Sequence, residues 1–227
     1  MRATVLLLAV IVAIGLSGLG YELSLPSVAN APELVAAIVK LHRGVVGRLP
    51  LPTKLAEAIV AVEDEHFYSN VALNIVDGAA RAAVTALHTS GDPGGSTIAQ
   101  QLAKQLYRSG GGFGATLEQV GLGLKLSLSY SKPEILEMYL NAIYFGNGYW
   151  GYATAAHGYF AVDPNRLNWA EAAMLAGLPQ APSDYNPVTH PRLAKQRQRQ
   201  VLSQLVANHI LTGAQARSAY RARLPVR

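Results

Sequence analysis

The sequence predicts a mostly α-helical domain behind a single apolar N-terminal segment. Three observations lead there: apolar residues recur at helical spacing, helix-cap signals stand ahead of several of those runs, and the two-residue alternation of strands is scarce. Half of the 227 residues are apolar and 15% are charged, which excludes both a disordered tail and a polytopic membrane protein. That length suits an anchor and one packed domain, so a single functional unit is expected.

From Ala3 to Tyr21 no charged residue occurs, and Val5 to Leu16 is almost purely aliphatic. Roughly 20 apolar residues cross a bilayer as a helix, so residues 1–21 are expected to form a transmembrane anchor with Arg2 on the cytoplasmic side. A cleaved signal peptide is the competing reading, with Val28-Ala29-Asn30-Ala31 as the small-residue stretch beyond it. Either way the rest of the chain leaves the cytoplasm. Residues 22–44 carry Pro26 and Pro32 around a short apolar segment from Leu34 to Leu41, and read as a linker with one helix. The domain proper is then expected at 45–227.

Within it, Leu55 to Phe67 places Ala58, Ile59, Val62 and His66 at helical spacing, with Glu63 and Asp64 near the end. Ser96 precedes the periodic run Ile98, Leu102, Leu106 and is the expected cap of that helix. Ser131 with Glu134 forms a capping-box pattern, and Pro133 suits the first turn. Asn168 is placed to cap a helix from Trp169 to Leu178 with Glu171 at its third position, and Thr212 with Gln215 repeats the box. Roughly seven to nine helices around one core are expected, with long loops near residues 90 and 110.

The absence of cysteine excludes disulfides, thiolate zinc sites and a cysteine nucleophile. His66, His88, His157 and His190 are scattered without metal-ligand spacing, so no protein-built metal site is expected. The net charge of +5 suits phosphates or lipid headgroups but is too diffuse to argue for nucleic acid.

Two clusters carry chemistry. Glu63-Asp64-Glu65 closes an apolar helical turn, where acidic side chains oppose the macrodipole unless something compensates. A solvated surface turn is the plain reading; a partly buried carboxylate there could serve as a general base. The second cluster is Gly94-Gly95-Ser96-Thr97 followed by Gln100, Gln101 and Lys104. Its glycines allow close backbone approach, and the helix that follows is expected to turn free N–H groups toward an anion, which points to phosphate. The plain reading is a flexible loop with a Ser-capped helix. Gly110-Gly111-Gly112 lacks the Gly-Lys-Ser/Thr ending of a nucleotide loop. The match of Ser129-Tyr130-Ser131-Lys132 to Ser-x-x-Lys has no Ser-Asp-Asn or Lys-Thr-Gly behind it, and Ser131 is better employed as a cap.

Together these segments resemble glycosyltransferase family 51, the peptidoglycan glycosyltransferase domain of class A penicillin-binding proteins and of monofunctional transglycosylases. The family's Glu-Asp-x-x-Phe stands here as Glu63 to Phe67, and its Gly-Gly-Ser-Thr-Ile-x-Gln-Gln-Leu-x-Lys matches Gly94 to Lys104 at every specified position. Ile135 to Asn141 with Tyr144-Phe145-Gly146, and Glu171 to Gly177 with Tyr185-Asn186-Pro187, continue the pattern. The resemblance implies a lysozyme-like helical fold on the outer face of a bacterial cytoplasmic membrane. It implies an inverting transferase that joins lipid II units into glycan strands and releases undecaprenyl diphosphate. By that likeness Glu63 takes the proton of the incoming sugar hydroxyl and Asp64 fixes or tunes it. Gly95, Ser96, Thr97, Gln100, Gln101 and Lys104 would hold sugar and diphosphate, with room for a divalent cation (Mg or Mn) at the diphosphate. The implied partners are lipid II, the growing strand, the membrane and other cell-wall synthesis proteins, with no nucleic acid.

The chain also departs from the family. Asn70, Ala72 and Asn74 stand where His, Gly and Asp are usual. In the third motif, usually Arg-Lys-x-x-Glu, the Lys falls on Thr116 and the Glu on Gln119, with Glu118 one position earlier. Glu118 is therefore the candidate second carboxylate, although a one-residue helical shift turns a side chain by about 100°. Lys125 and Arg108 are the candidates to replace the lost cation. The alternative is a catalytically impaired pseudo-enzyme that grips lipid II; a glycan hydrolase on the same scaffold is a further rival.

Overall fold

The computed structural model describes residues 24–68, 97–107 and 113–227. The expected anchor, the loops near 90 and 110, and positions Asn70, Ala72, Asn74, Gly95, Ser96 and Arg108 lie outside these residues. Among the described residues no helix is long and apolar enough to cross a membrane.

Those residues form nine α-helices and no strand. They are α1 (Ala31–Leu41), α2 (Thr53–Glu63), α3 (Ile98–Tyr107), α4 (Phe113–Ser129), α5 (Lys132–Ala142), α6 (Tyr152–Phe160), α7 (Trp169–Ala176), α8 (Pro191–Ala207) and α9 (Gly213–Arg221). The expected mostly helical class is what the chain adopts. Among the described residues, extended pairing is confined to an isolated bridge between Tyr144 and Trp150.

Local chemistry sets the helix starts. Capping boxes close at Ser131 with Glu134, Asn168 with Glu171, and Thr212 with Gln215, each cap side chain accepting from the third amide while that residue's side chain accepts from the cap amide. The helix capped by Asn168 stops at Ala176, two residues short of the expected Leu178. Arg197 Nε donates to the Gly177 carbonyl just past that end, where a cation favours the helix dipole.

The helices pack as two groups. In one, α7 is the hub, flanked by α2, α6, α8 and α9, and every residue from Ala170 to Ala176 is buried. Its one charged side chain, Glu171, is turned back to the Asn168 amide, so the helix has no solvent face to offer and takes the centre. In the other, α3 packs on α4 and α5, and α1 packs on α5. Contacts of α6 with α5 and α7 join the two groups, and their apolar side chains form one continuous core.

Residues 25–41, expected as part of a linker, are folded onto the second group. Ala31, Val35 and Val39 form one helical stripe on α1 and are buried in the shared core. Lys125 Nζ donates to the Leu25 carbonyl at 2.8 Å, and Tyr130 OH donates to the Val28 carbonyl at 2.9 Å. Tyr107 OH meets Asn30 Oδ1 at 3.2 Å. This use of Lys125 corrects the expectation that it stands in for the missing cation of the third motif: its ammonium is engaged with main-chain carbonyls. A second tie is made by Asn141, whose side-chain amide bonds the Gly47 peptide both ways, at 2.8 and 2.9 Å. A Cβ at Gly47 would fall 2.1–2.2 Å from the Tyr152 ring, so only glycine fits there.

Candidate active site

The site forms where the two helix groups meet. From the first group, α2 buries Leu55, Ala58, Ile59 and Ala61, and Lys54 Nζ donates to the Leu167 carbonyl ahead of α7. That packing fixes the C-terminal end of α2, where Glu63 is the last helical residue and Asp64 the first beyond it. Phe67 then folds back, its amide bonding the Asp64 carbonyl at 2.9 Å, and its ring is buried.

From the second group comes the start of α3. Asp64 Oδ2 accepts from the Ile98 amide at 3.1 Å, across 34 residues of sequence. The acidic turn thus finds its compensation: a carboxylate that opposes the dipole of α2 is placed at the positive end of α3. Thr97 Oγ1 accepts from the Gln100 amide at 3.2 Å, and Gln100 Oε1 accepts from the Thr97 amide at 3.1 Å, a reciprocal capping box.

These bonds engage most of the amides at the start of α3. Three of the four amides that a helix start leaves open, those of Thr97, Ile98 and Gln100, have protein acceptors. The anion that α3 holds at its start is Asp64. The cap is Thr97, not the expected Ser96, and Gln100 is engaged with it.

Gln101 points the other way. Its Nε2 donates to Glu63 Oε2 at 2.9 Å, and its Oε1 accepts from Tyr139 OH at 2.8 Å. Tyr139 lies on α5 and is fully buried; burial, reinforced by the Glu63 charge, holds its phenol protonated far above the ordinary range. Lys132, at the start of α5, sits 4.7 Å from the centre of the Phe67 ring. Burial lowers the Lys132 pKa, and the nearby Asp64 charge works against that fall.

The structure therefore gathers Glu63, Asp64, Thr97, Gln100 and Gln101, and adds Tyr139 and Lys132. Of the remaining candidates, Lys104 is exposed on α3 and Glu118 half-buried on α4, and neither hydrogen-bonds or ion-pairs with this group. Gly123 lets α4 lie directly on α3: a Cβ there would meet the Gln100 backbone at 3.1 Å. The roles of Tyr139 and Lys132 were not read from sequence. A tyrosine inside the apolar stretch Met138-Tyr139-Leu140 needs a partner for its hydroxyl, and that was the available signal.

Comparison with known proteins identifies the family to which the chain belongs. The chain is 42% identical over 157 residues to a protein from Cupriavidus necator described as a transglycosylase, covering 69% of this chain and 68% of that one. It is 41% identical over 175 residues to penicillin-binding protein 1A of Neisseria flavescens, covering 76% of this chain but 22% of that protein. The chain thus spans about a fifth of the penicillin-binding proteins it matches. Its fold is similar to part of the crystal structure of penicillin-binding protein 1A from Haemophilus influenzae. The TM-score is 0.50 at 23% identity, over 81% of this chain and 18% of that one. A family profile described as Transglycosylase matches residues 32–206, and the chain belongs to the transglycosylase family.

Proposed function

We propose that this chain is a peptidoglycan glycosyltransferase that polymerises lipid II on the outer face of a bacterial cytoplasmic membrane, with inversion at the anomeric carbon. The observation that carries the reading is the Glu63 carboxylate, held by the Gln101 amide at 2.9 Å at the junction of two helix groups. The incoming sugar hydroxyl approaches this carboxylate. Glu63 removes the hydroxyl proton as that oxygen attacks the anomeric carbon of the donor, and the bond to the diphosphate breaks with its electron pair. A single base is enough, because no covalent enzyme intermediate forms. Asp64 acts indirectly, by tying the α2 end to α3. Lys104, on the exposed side of α3 one turn past Gln100, is the cation proposed for the leaving diphosphate.

An apolar groove of about 480 Å³ beside the catalytic turn, lined by Leu49, Leu51, Val60, Tyr68, Leu136 and Ile210, supports a donor with a hydrocarbon portion. A divalent cation finds no cage in the described residues: no three His, Asp or Glu side chains converge there, and Asp64 is engaged with α3. No step here is routed through an ion. The pseudo-enzyme alternative rests on the departures at Thr116 and Gln119, and the family match lends it no support.

The test is polymerisation of lipid II in detergent by the purified chain, read on a gel. Wild type is expected to give β-linked polymer and free undecaprenyl diphosphate, and Glu63→Gln to give neither at an unchanged melting temperature. Turnover retained by Glu63→Gln would remove Glu63 as the base.

A further inference from the structure

The surface of α8 and α9 differs in charge from the rest of the chain. Residues 192–227 hold eight of the 19 Lys and Arg and none of the 14 Asp and Glu, leaving 11 basic against 14 acidic residues elsewhere. The whole net charge of +5 is therefore owed to this segment. On α8, Arg192, Lys195 and Arg199 recur at i, i+3 and i+7, which is one helix face about 10 Å long. On α9, Arg217 and Arg221 stand one turn apart. The two helices pack on each other, and Lys195 Nζ lies 4.5 Å from the centre of the Tyr220 ring, which brings the α8 row against α9. The four arginines are exposed, and no carboxylate ion-pairs with any of them among the described residues.

Helix stability gives little reason for this row. Like charges three and four apart on a helix repel, and Arg192 stands in the first turn of α8, where the dipole disfavours a cation. Arg221 alone is favourably placed, in the last turn of α9. The chemistry of the face selects its ligand. Seven of the eight cations are arginines, whose planar fork pairs with two phosphate oxygens at once. Leu193 is the only large apolar side chain exposed between 192 and 227, so a folded protein would find no apolar interface core and a bilayer nothing to take up. Tyr220 is the one Phe, Tyr or Trp in the segment, and Lys195 covers its ring, which leaves no platform for a nucleic-acid base. We infer that the α8–α9 face binds a linear polymer of singly charged phosphates that carries no bases, the polymer following the row of cations. This binding is a property separate from the proposed sugar transfer and does not depend on it.

The experiment titrates labelled linear polyphosphate with the full chain in non-ionic detergent, read by fluorescence anisotropy over a range of salt. Arg192→Gln with Arg199→Gln, and separately Arg217→Gln with Arg221→Gln, should each weaken binding about tenfold and flatten the salt slope by about 1.4. Lys40→Gln with Arg43→Gln removes the same charge from the end of α1 and should change neither quantity. An equal loss in that control means that net charge alone attracts the polymer, and overturns the inference. So does an absence of binding by wild type, inorganic diphosphate competing as well as the polymer at equal phosphate, or a single-stranded oligonucleotide of equal charge binding more tightly. The chain has no cysteine, so a dye at Gln196→Cys reports on the α8 face alone. Its emission should change with polyphosphate and be the same in the chain reconstituted in phosphatidylcholine or in phosphatidylglycerol vesicles. A change between the two lipids would assign the face to lipid headgroups instead.

Discussion

The bond from Ile98 N to Asp64 Oδ2, at 3.1 Å, joins the end of α2 to the start of α3, and its removal should be measurable as stability. Asp64→Ala deletes both an acceptor at a helix start and a negative charge at the positive end of the dipole. Loss of a cap acceptor costs about 1 kcal/mol, and loss of the charge–dipole term about 0.5–1 kcal/mol, giving about 2 kcal/mol together. For a chain of this size that is a fall of about 4–8 °C in Tm. Asp64→Asn keeps an oxygen for the Ile98 amide and should lose only the electrostatic part, about 0.5–1 kcal/mol. Thermal unfolding of the two variants beside wild type reads the difference. Hydrogen exchange at Ile98 should quicken in the alanine variant and stay slow in the asparagine one. The same substitutions remove the charge that opposes the burial-driven fall of the Lys132 pKa, so that pKa should drop further in both. An alanine variant within about 0.5 kcal/mol of wild type, or an asparagine variant as unstable as it, would refute this use of Asp64.

Gly47→Ala should lose about 3 kcal/mol in denaturant unfolding, because its Cβ would overlap the buried Tyr152 ring; pairing it with Tyr152→Leu should recover most of the loss. Lys125→Ala should loosen residues 25–30 from α4, seen as faster hydrogen exchange at Ala31, with about 1 kcal/mol lost and polymerisation unchanged.

What could be read from sequence was local. The boxes at Ser131, Asn168 and Thr212 need only residues three apart, and each formed as its pattern implies. The start of α3 held the same signal unnoticed: Thr97-x-x-Gln100 fits a capping box, whereas Ser96 has Ala99 at the third position. The glycines ahead of it drew attention to a ligand instead. What stayed hidden depends on partners far along the chain. Asp64 finds Ile98 34 residues away, Tyr139 finds Gln101 38 away, and Lys125 finds Leu25 100 away. A free lysine and a lysine tied to carbonyls look the same in a string of letters, so the reassignment of Lys125 required the fold.

The order in which the two helix groups become complete follows from which helices they contain. The group of α1, α3, α4 and α5 has all its helices once residue 142 has emerged, with α3, α4 and α5 consecutive and α1 joining them from further back. In contrast, α2 waits for α7 and α8, whose first residues are Trp169 and Pro191. At about 5–20 residues per second, the apolar stripe Leu55–Ala58–Ile59 stays uncovered for roughly 5–20 s before α7 arrives. Glu63 ends the helix that carries that stripe, so the nascent chain exposes a sticky surface early and fixes the carboxylate proposed as the base late. This interval is when a holding chaperone would matter most.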